Sequence, residues 1–113
     1  MYVKHVRGRG GEAIAAGYLE LIGLEVVARN TRFAGVEVDL VALDGETHVL
    51  VEVKLRSRSD YGGPAQAVDA RKRARLLRAA RTLGEVPVRV DLIAIELVDG
   101  GLGLRHYRNA FTE

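Results

Sequence analysis

The stretch VEVDLVALDGETHVLVEVKL, residues 36–55, decides the fold. Residues 36–43 alternate cleanly, and so do residues 48–55, the period of two that marks a β-strand. Between the two runs stands Asp44-Gly45, and a two-residue type I′ turn needs positive φ at both central positions, which this pair tolerates. The two runs are therefore predicted to form one antiparallel hairpin. With Asp44-Gly45 centred in the turn, Leu43 faces Glu46, Val41 faces His48, Asp39 faces Leu50 and Glu37 faces Glu52. Val38, Leu40 and Ala42 then share a core face with Val49, Val51, Val53 and Leu55. The other face gathers Glu37, Asp39, Glu52 and Lys54 at one end and is apolar at the other.

Like charges facing each other across a ladder destabilise it. A divalent cation shared by the carboxylates removes the repulsion. Oxygen ligands select a hard ion, Mg2+ or Mn2+. Lys54 is then placed to hold an attacking water or to stabilise charge on a phosphate. The plainer alternative is a half-exposed sheet face whose charges are solvated. Against it, helices are expected over both faces, and the acids cluster at one end without bases between them.

Outward from the hairpin, residues 10–22 read as a helix, with Ala15, Ala16, Leu19 and Ile22 on one stripe and Gly23 as its stop. Glu12 heads that stripe, pointing either to the sheet or to the positive end of the helix dipole. Residues 1–9 read as a mobile basic arm, and 24–32 as a strand. After a polar loop at 56–63, Pro64 opens a helix reaching about Leu83, where Gly84 ends it. Residues 88–98 and 102–107 read as strands on either side of the Gly100-Gly101 turn. The order α-β-β-β-α-β-β gives an α/β fold, a mixed sheet flanked by helices.

The chain of 113 residues suits one domain, residues 1–113. It has no cysteine, so metal ligands must be oxygen or imidazole. No apolar run approaches the roughly 20 residues a bilayer needs, and the basic N-terminus lacks an apolar signal core. A cytoplasmic protein without membrane contact is expected. The net charge is only +2, but of 17 basic residues all except Lys4, Lys54 and Lys72 are arginine. Arginine matches phosphate with a planar fork, although compositional bias explains the excess equally well.

Asp39 followed thirteen residues later by Glu52-Val53-Lys54, behind a helix bearing Glu12, resembles the PD-(D/E)xK nuclease superfamily. It is similar to archaeal Holliday-junction resolvases and, over nearly the whole chain, to the YraN-like family of small bacterial proteins. The ordered matches include Gly11-Glu12, Arg29-Asn30-Thr31-Arg32, the runs from Glu37 to Ala42 and Val51 to Lys54, then Gln66-Ala67-Val68, Arg89-Val90-Asp91 and Asn109-Ala110-Phe111. One departure is Val36 before Glu37, where that family usually has glycine; here glycine is at 35. The resemblance implies a restriction-endonuclease-like αβββαβ core. It also implies metal ligation by Asp39, Glu52 and the Val53 carbonyl, a catalytic Lys54, and Glu12 acting through water. Gln66 is implied, more weakly, as a helix contact near the phosphate.

Lys4, Arg7, Arg9, Arg56, Arg58 and Lys72 are candidate contacts for nucleic acid, with DNA the expected partner. Arg71, Arg75 and Arg78 read first as a solvated helix face. His5, His48 and His106 lack metal-ligand spacing and read as structural or surface residues. A homodimer is expected from the two strands of a branched junction. Leu102, Leu104, Tyr107 and Phe111 could form its edge, or cover their own sheet. The expected function is a Mg2+-dependent endonuclease acting on structured or branched DNA. The rival is a catalytically silent nucleic-acid-binding module.

Overall fold

The computed structural model describes residues 3–57 and 70–111, with side chains at 10–55, 70–97 and 99–111. The elements are α1 (Val3–Leu21), β1 (Glu25–Phe33), β2 (Val36–Asp44), β3 (Thr47–Ser57), α2 (Ala70–Arg81), β4 (Val88–Val98) and β5 (Gly101–Tyr107). The five strands form one sheet in chain order. β1–β2, β2–β3 and β4–β5 pair antiparallel, whereas β3–β4 pair parallel, with α2 in the connection between them. This is the mixed α/β sheet flanked by two helices that the periodicities predict. No helix among the described residues is long and apolar enough to cross a membrane.

Each helix covers one face. α1 places Ala15, Ala16 and Leu19 against Leu40, Ala42, Val49, Val51, Ile93 and Ile95. α2 places Leu76, Ala79 and Ala80 against Val36, Val38, Leu50, Val90 and Leu92, with Phe111 closing the cluster. Small residues let α1 lie close: a Cβ on Gly11 would stand 3.8 Å from both Ile95 and Val53. The helix ends at Gly23, φ 102. There the Leu24 amide donates to Leu19 O and the Gly23 amide to Glu20 O, a Schellman ending with Leu19 and Leu24 both in the core.

Three expectations change. α1 begins at Val3 and not at residue 10, so helix backbone takes in most of the stretch expected to be a mobile basic arm. Gly8, Gly10 and Gly11 cost this helix about 1 kcal/mol each, which does not interrupt it. The second change is the hairpin register. Asp44 pairs with Thr47, Leu43 with His48 and Val41 with Leu50. The turn is thus Gly45-Glu46, with positive φ at Gly45 and not at Glu46, the pattern of a type II′ turn. The slip is two residues, so faces are preserved while every cross-strand partner changes.

The third change is in β2 itself. Leu40 and Ala42 share a core face with Val49 and Val51 as expected, the face that α1 covers, but Val38, expected with them, joins Val36 in the α2 layer. The strand changes layer at Asp39. β1 does the same on the facing rung: its inward positions are 26 and 28, then 31 and 33. Between the pairs Arg29–Leu40 and Thr31–Val38 lies Asn30, whose φ of 49 is left-handed. Asparagine is among the few residues that accept this conformation readily.

Candidate functional site

β2 and β3 form a regular ladder from Asp44–Thr47 to Leu40–Val51. One residue further, Asp39 Oδ2 accepts the Val53 amide at 2.8 Å. A side chain thus takes a bond that a backbone carbonyl would take in a regular ladder. The bond fixes the Asp39 carboxylate beside the Glu52-Val53-Lys54 segment of β3.

Glu52 alternates with Leu50 and so faces the α2 layer. It is 5% exposed, one of two buried charged residues among those described. Its carboxyl is pushed up to about 7, first by burial and next by the Asp39 charge, with Asp39 also hydrogen-bonded to it. Two lysines oppose that rise. Lys54 Nζ lies 3.8 Å from Glu52 Oε2, and Lys72 Nζ lies 4.0 Å from Oε1. Glu52 Oε1 is buried without a hydrogen-bond partner. Lys72 also donates to the Glu37 carbonyl at 2.6 Å, tying α2 to β2 two residues before Asp39.

The site therefore contains Asp39, Glu52, Lys54 and Lys72. The expected Glu37–Glu52 repulsion is absent: the two-residue slip moves Glu37 away, and it is exposed beside Arg32 at 3.6 Å. Asp39 is the acid that presses on Glu52 instead. Glu12 is half-buried on α1, over the opposite sheet face from Glu52. Among the described residues no group of three or more acidic or imidazole side chains is gathered to hold a metal. Arg58 and Gln66 lie outside the described residues, as do the side chains of Lys4, Arg7, Arg9 and Arg56.

A second polar network lies on the α1 face. Asp91, fully buried, accepts from Arg89 Nε at 3.0 Å and from the Asn109 amide at 2.9 Å, and bonds His106 Nε2 at 2.8 Å. His106 Nδ1 meets the Tyr18 hydroxyl of α1 at 2.9 Å. Arg89 reaches on to Asp44 at 2.9 Å. The network joins α1, β2, β4, β5 and the segment after it, and of the two readings open for His106, structural or surface, it is the structural one that the bonds show. Of the apolar residues considered for a dimer edge, Phe111 is buried in its own chain and Leu102 is 53% exposed.

Sequence reasoning missed the inward role of Lys72, which it took for a nucleic-acid contact. Its spacing from the buried Leu76, Ala79 and Ala80 was the available signal: it precedes Leu76 by four and so points the same way.

Comparison with known proteins completes the picture. The model of a family described as "Uncharacterised protein family UPF0102" matches residues 11–95. A UPF0102 protein of Beutenbergia cavernae is 50% identical, covering 84% of this chain and 86% of its own. One of Frankia casuarinae is 43% identical, covering 98% of this chain and 100% of its own. Another, of Paenarthrobacter aurescens, is 43% identical over 90% of this chain and 88% of its own.

Proposed function

The chain belongs to the UPF0102 family, and we propose that it is a metal-dependent phosphodiesterase acting on structured or branched DNA, with its chemistry at Asp39, Glu52 and Lys54. The observation that carries this reading is an acid pair of which one member, Glu52, is buried. Glu52 is held against Asp39, with one carboxylate oxygen accepting no hydrogen bond and two lysines within 4.0 Å. A core without a use for charge is more stable without it. The oxygen donors fit a hard divalent cation, and Glu52 Oε1, which accepts no hydrogen bond, is a position where one would be received.

Asp39 and Glu52 would hold Mg2+ or Mn2+, with the Val53 carbonyl as a further donor. When bound, that ion supplies Lewis-acid stabilisation of phosphoryl charge and makes a water more acidic. Asp39 is kept in place by the Val53 amide. Lys54, 40% exposed, reaches the solvent side of the pair and can orient a water or meet a phosphate oxygen. Lys72 holds the strand entry through the Glu37 carbonyl. The restriction-endonuclease-like core, a cytoplasmic place of work and pairing into a homodimer belong to the same proposal.

A second reading, a nucleic-acid-binding module without turnover, is favoured by one observation: the acids gathered among the described residues are a pair and not a triad. Incubation of the wild type and Asp39→Asn with branched, duplex and single-stranded DNA, in Mg2+ or Mn2+, separates the two. Metal-dependent cleavage lost in Asp39→Asn is expected. Binding without cleavage on every substrate would select the silent module.

A further inference from the structure

Six of the twelve residues of α2 are basic (Arg71, Lys72, Arg73, Arg75, Arg78 and Arg81), and none is acidic. Its buried side, Leu76, Ala79 and Ala80, is committed to the sheet. Arg71, Arg75 and Arg78 stand at i, i+4 and i+7 and are all exposed. Among the described residues no carboxylate forms an ion pair with any of the three. Elsewhere the exposed arginines Arg32, Arg105 and Arg108 each face an acid, and Arg29 on β1 stands alone, so among the described residues only α2 gathers such arginines into a row. Like charges at these helical spacings repel, and only Arg78, in the last turn, gains from the helix dipole.

The stripe is also placed with respect to the acid pair. Lys72, next to Arg71, turns inward to within 4.0 Å of Glu52. From Arg71 to Arg78 the helix rises about 10 Å, at ~1.5 Å per residue. Three consecutive phosphates of one strand span two steps, about 7 Å at ~3.4 Å per step along the duplex axis, a length that three long guanidinium side chains spread over that rise can cover. Ala74 is exposed within the stripe, so no bulky side chain stands between the arginines on that turn.

We propose that the Arg71, Arg75 and Arg78 face of α2 is a docking rail for consecutive backbone phosphates of a nucleic-acid strand, leading that strand to the Asp39–Glu52 pair. Guanidinium forks bond phosphate oxygens in pairs. An anionic bilayer is a poorer occupant, because a helix that lies on a membrane needs a free apolar face and α2 has spent its own on the sheet. The rail rests on the phosphodiesterase reading for its destination, but its own content is a binding surface.

The test uses the full chain and a 25-base-pair DNA duplex without divalent metal, so that affinity is read without cleavage. Fluorescence anisotropy over a salt series compares the wild type with Arg71→Gln/Arg75→Gln/Arg78→Gln, and with Arg105→Gln on β5 as a control. The triple variant is expected to lose at least 10-fold in affinity at low salt. Its log–log salt slope should be shallower by about 2–3, at ~0.9 per phosphate contact. Arg105→Gln should keep the wild-type slope. Glutamine is a good helix former. If the triple variant nevertheless fails to fold, each single variant should still take about 0.9 from the slope. An unchanged slope in the variants, or wild-type binding to phosphatidylglycerol vesicles and not to DNA, overturns the rail. A slope that falls as expected in a protein that neither binds Mn2+ nor cleaves keeps the rail and removes the phosphodiesterase reading. Metal-dependent cleavage with slopes unaltered in the variants does the reverse.

Discussion

Glu52→Gln keeps the shape of the side chain and removes its charge, so it reads out what burial beside Asp39 costs. The folded protein holds the Glu52 carboxyl at about 7, against 4.5 for the unperturbed group. At ~1.36 kcal/mol per pH unit, ionising it in the fold costs about 3 kcal/mol more than ionising it in the unfolded chain. Because the folded value is the raised one, the contribution is fully present below about pH 4.5. It declines as pH rises, since the folded state then holds a proton that the unfolded state has released, and it is gone above about pH 7. The stability of wild type relative to Glu52→Gln should therefore fall by about 3 kcal/mol between pH 4.5 and pH 8. Urea unfolding of both proteins across that range, without divalent metal, measures the difference and cancels the titrating groups that do not touch Glu52. At pH 8 saturating Mn2+ should recover about 2–3 kcal/mol for the wild type, the gain expected near 100 times the dissociation constant, and nothing for the variant. Parallel stability curves for the two proteins would refute the reasoning, since a Glu52 that ionises as easily folded as unfolded is neither buried nor pressed by Asp39.

Lys54→Ala should leave Mn2+ binding by calorimetry intact while lowering the cleavage rate about 100-fold or more, the scale of losing one stabilising contact to developing charge. Unchanged turnover would make Lys54 a surface residue. Asp91→Ala strips the buried acceptor from Arg89, His106 and the Asn109 amide. It should cost about 3–5 kcal/mol in urea unfolding, the scale of breaking a buried ion pair from one side. A loss under 1 kcal/mol would show that Arg89 is adequately satisfied by Asp44 alone.

The fold was legible because periodicity is a local property. Alternation in 36–43 and 48–55, and the 3.6 spacing of Ala15, Ala16 and Leu19, place strands and helix with no knowledge of their partners. Register was not legible, since Asp44-Gly45 and Gly45-Glu46 both make acceptable turns and only packing chooses between them. The choice preserved the faces, so Glu52 and Lys54 were assigned to the correct side while Glu37 was wrongly placed opposite Glu52. The layer change at Asp39 was hidden for a different reason: a strand's alternation carries no mark of where the strand rotates, and the sign lay on the neighbouring strand, in Asn30. Asp91 was noticed as part of a pattern, but its buried bonds to residues 15 and 18 positions away are beyond any local reading.

β1 is an outer strand of the sheet, and its free side is where another chain could add itself by backbone pairing. Such addition needs an unbroken extended run. β1 offers none: its register shifts between Val26 and Ala28, and Asn30 turns left-handed three residues from its end. The irregularity that rotates the strands around Asp39 thus also makes this edge a poor template for aggregation. Asn30→Val, which favours a straight extended strand, should be felt twice: as a displaced Asp39 and as a rise in concentration-dependent light scattering.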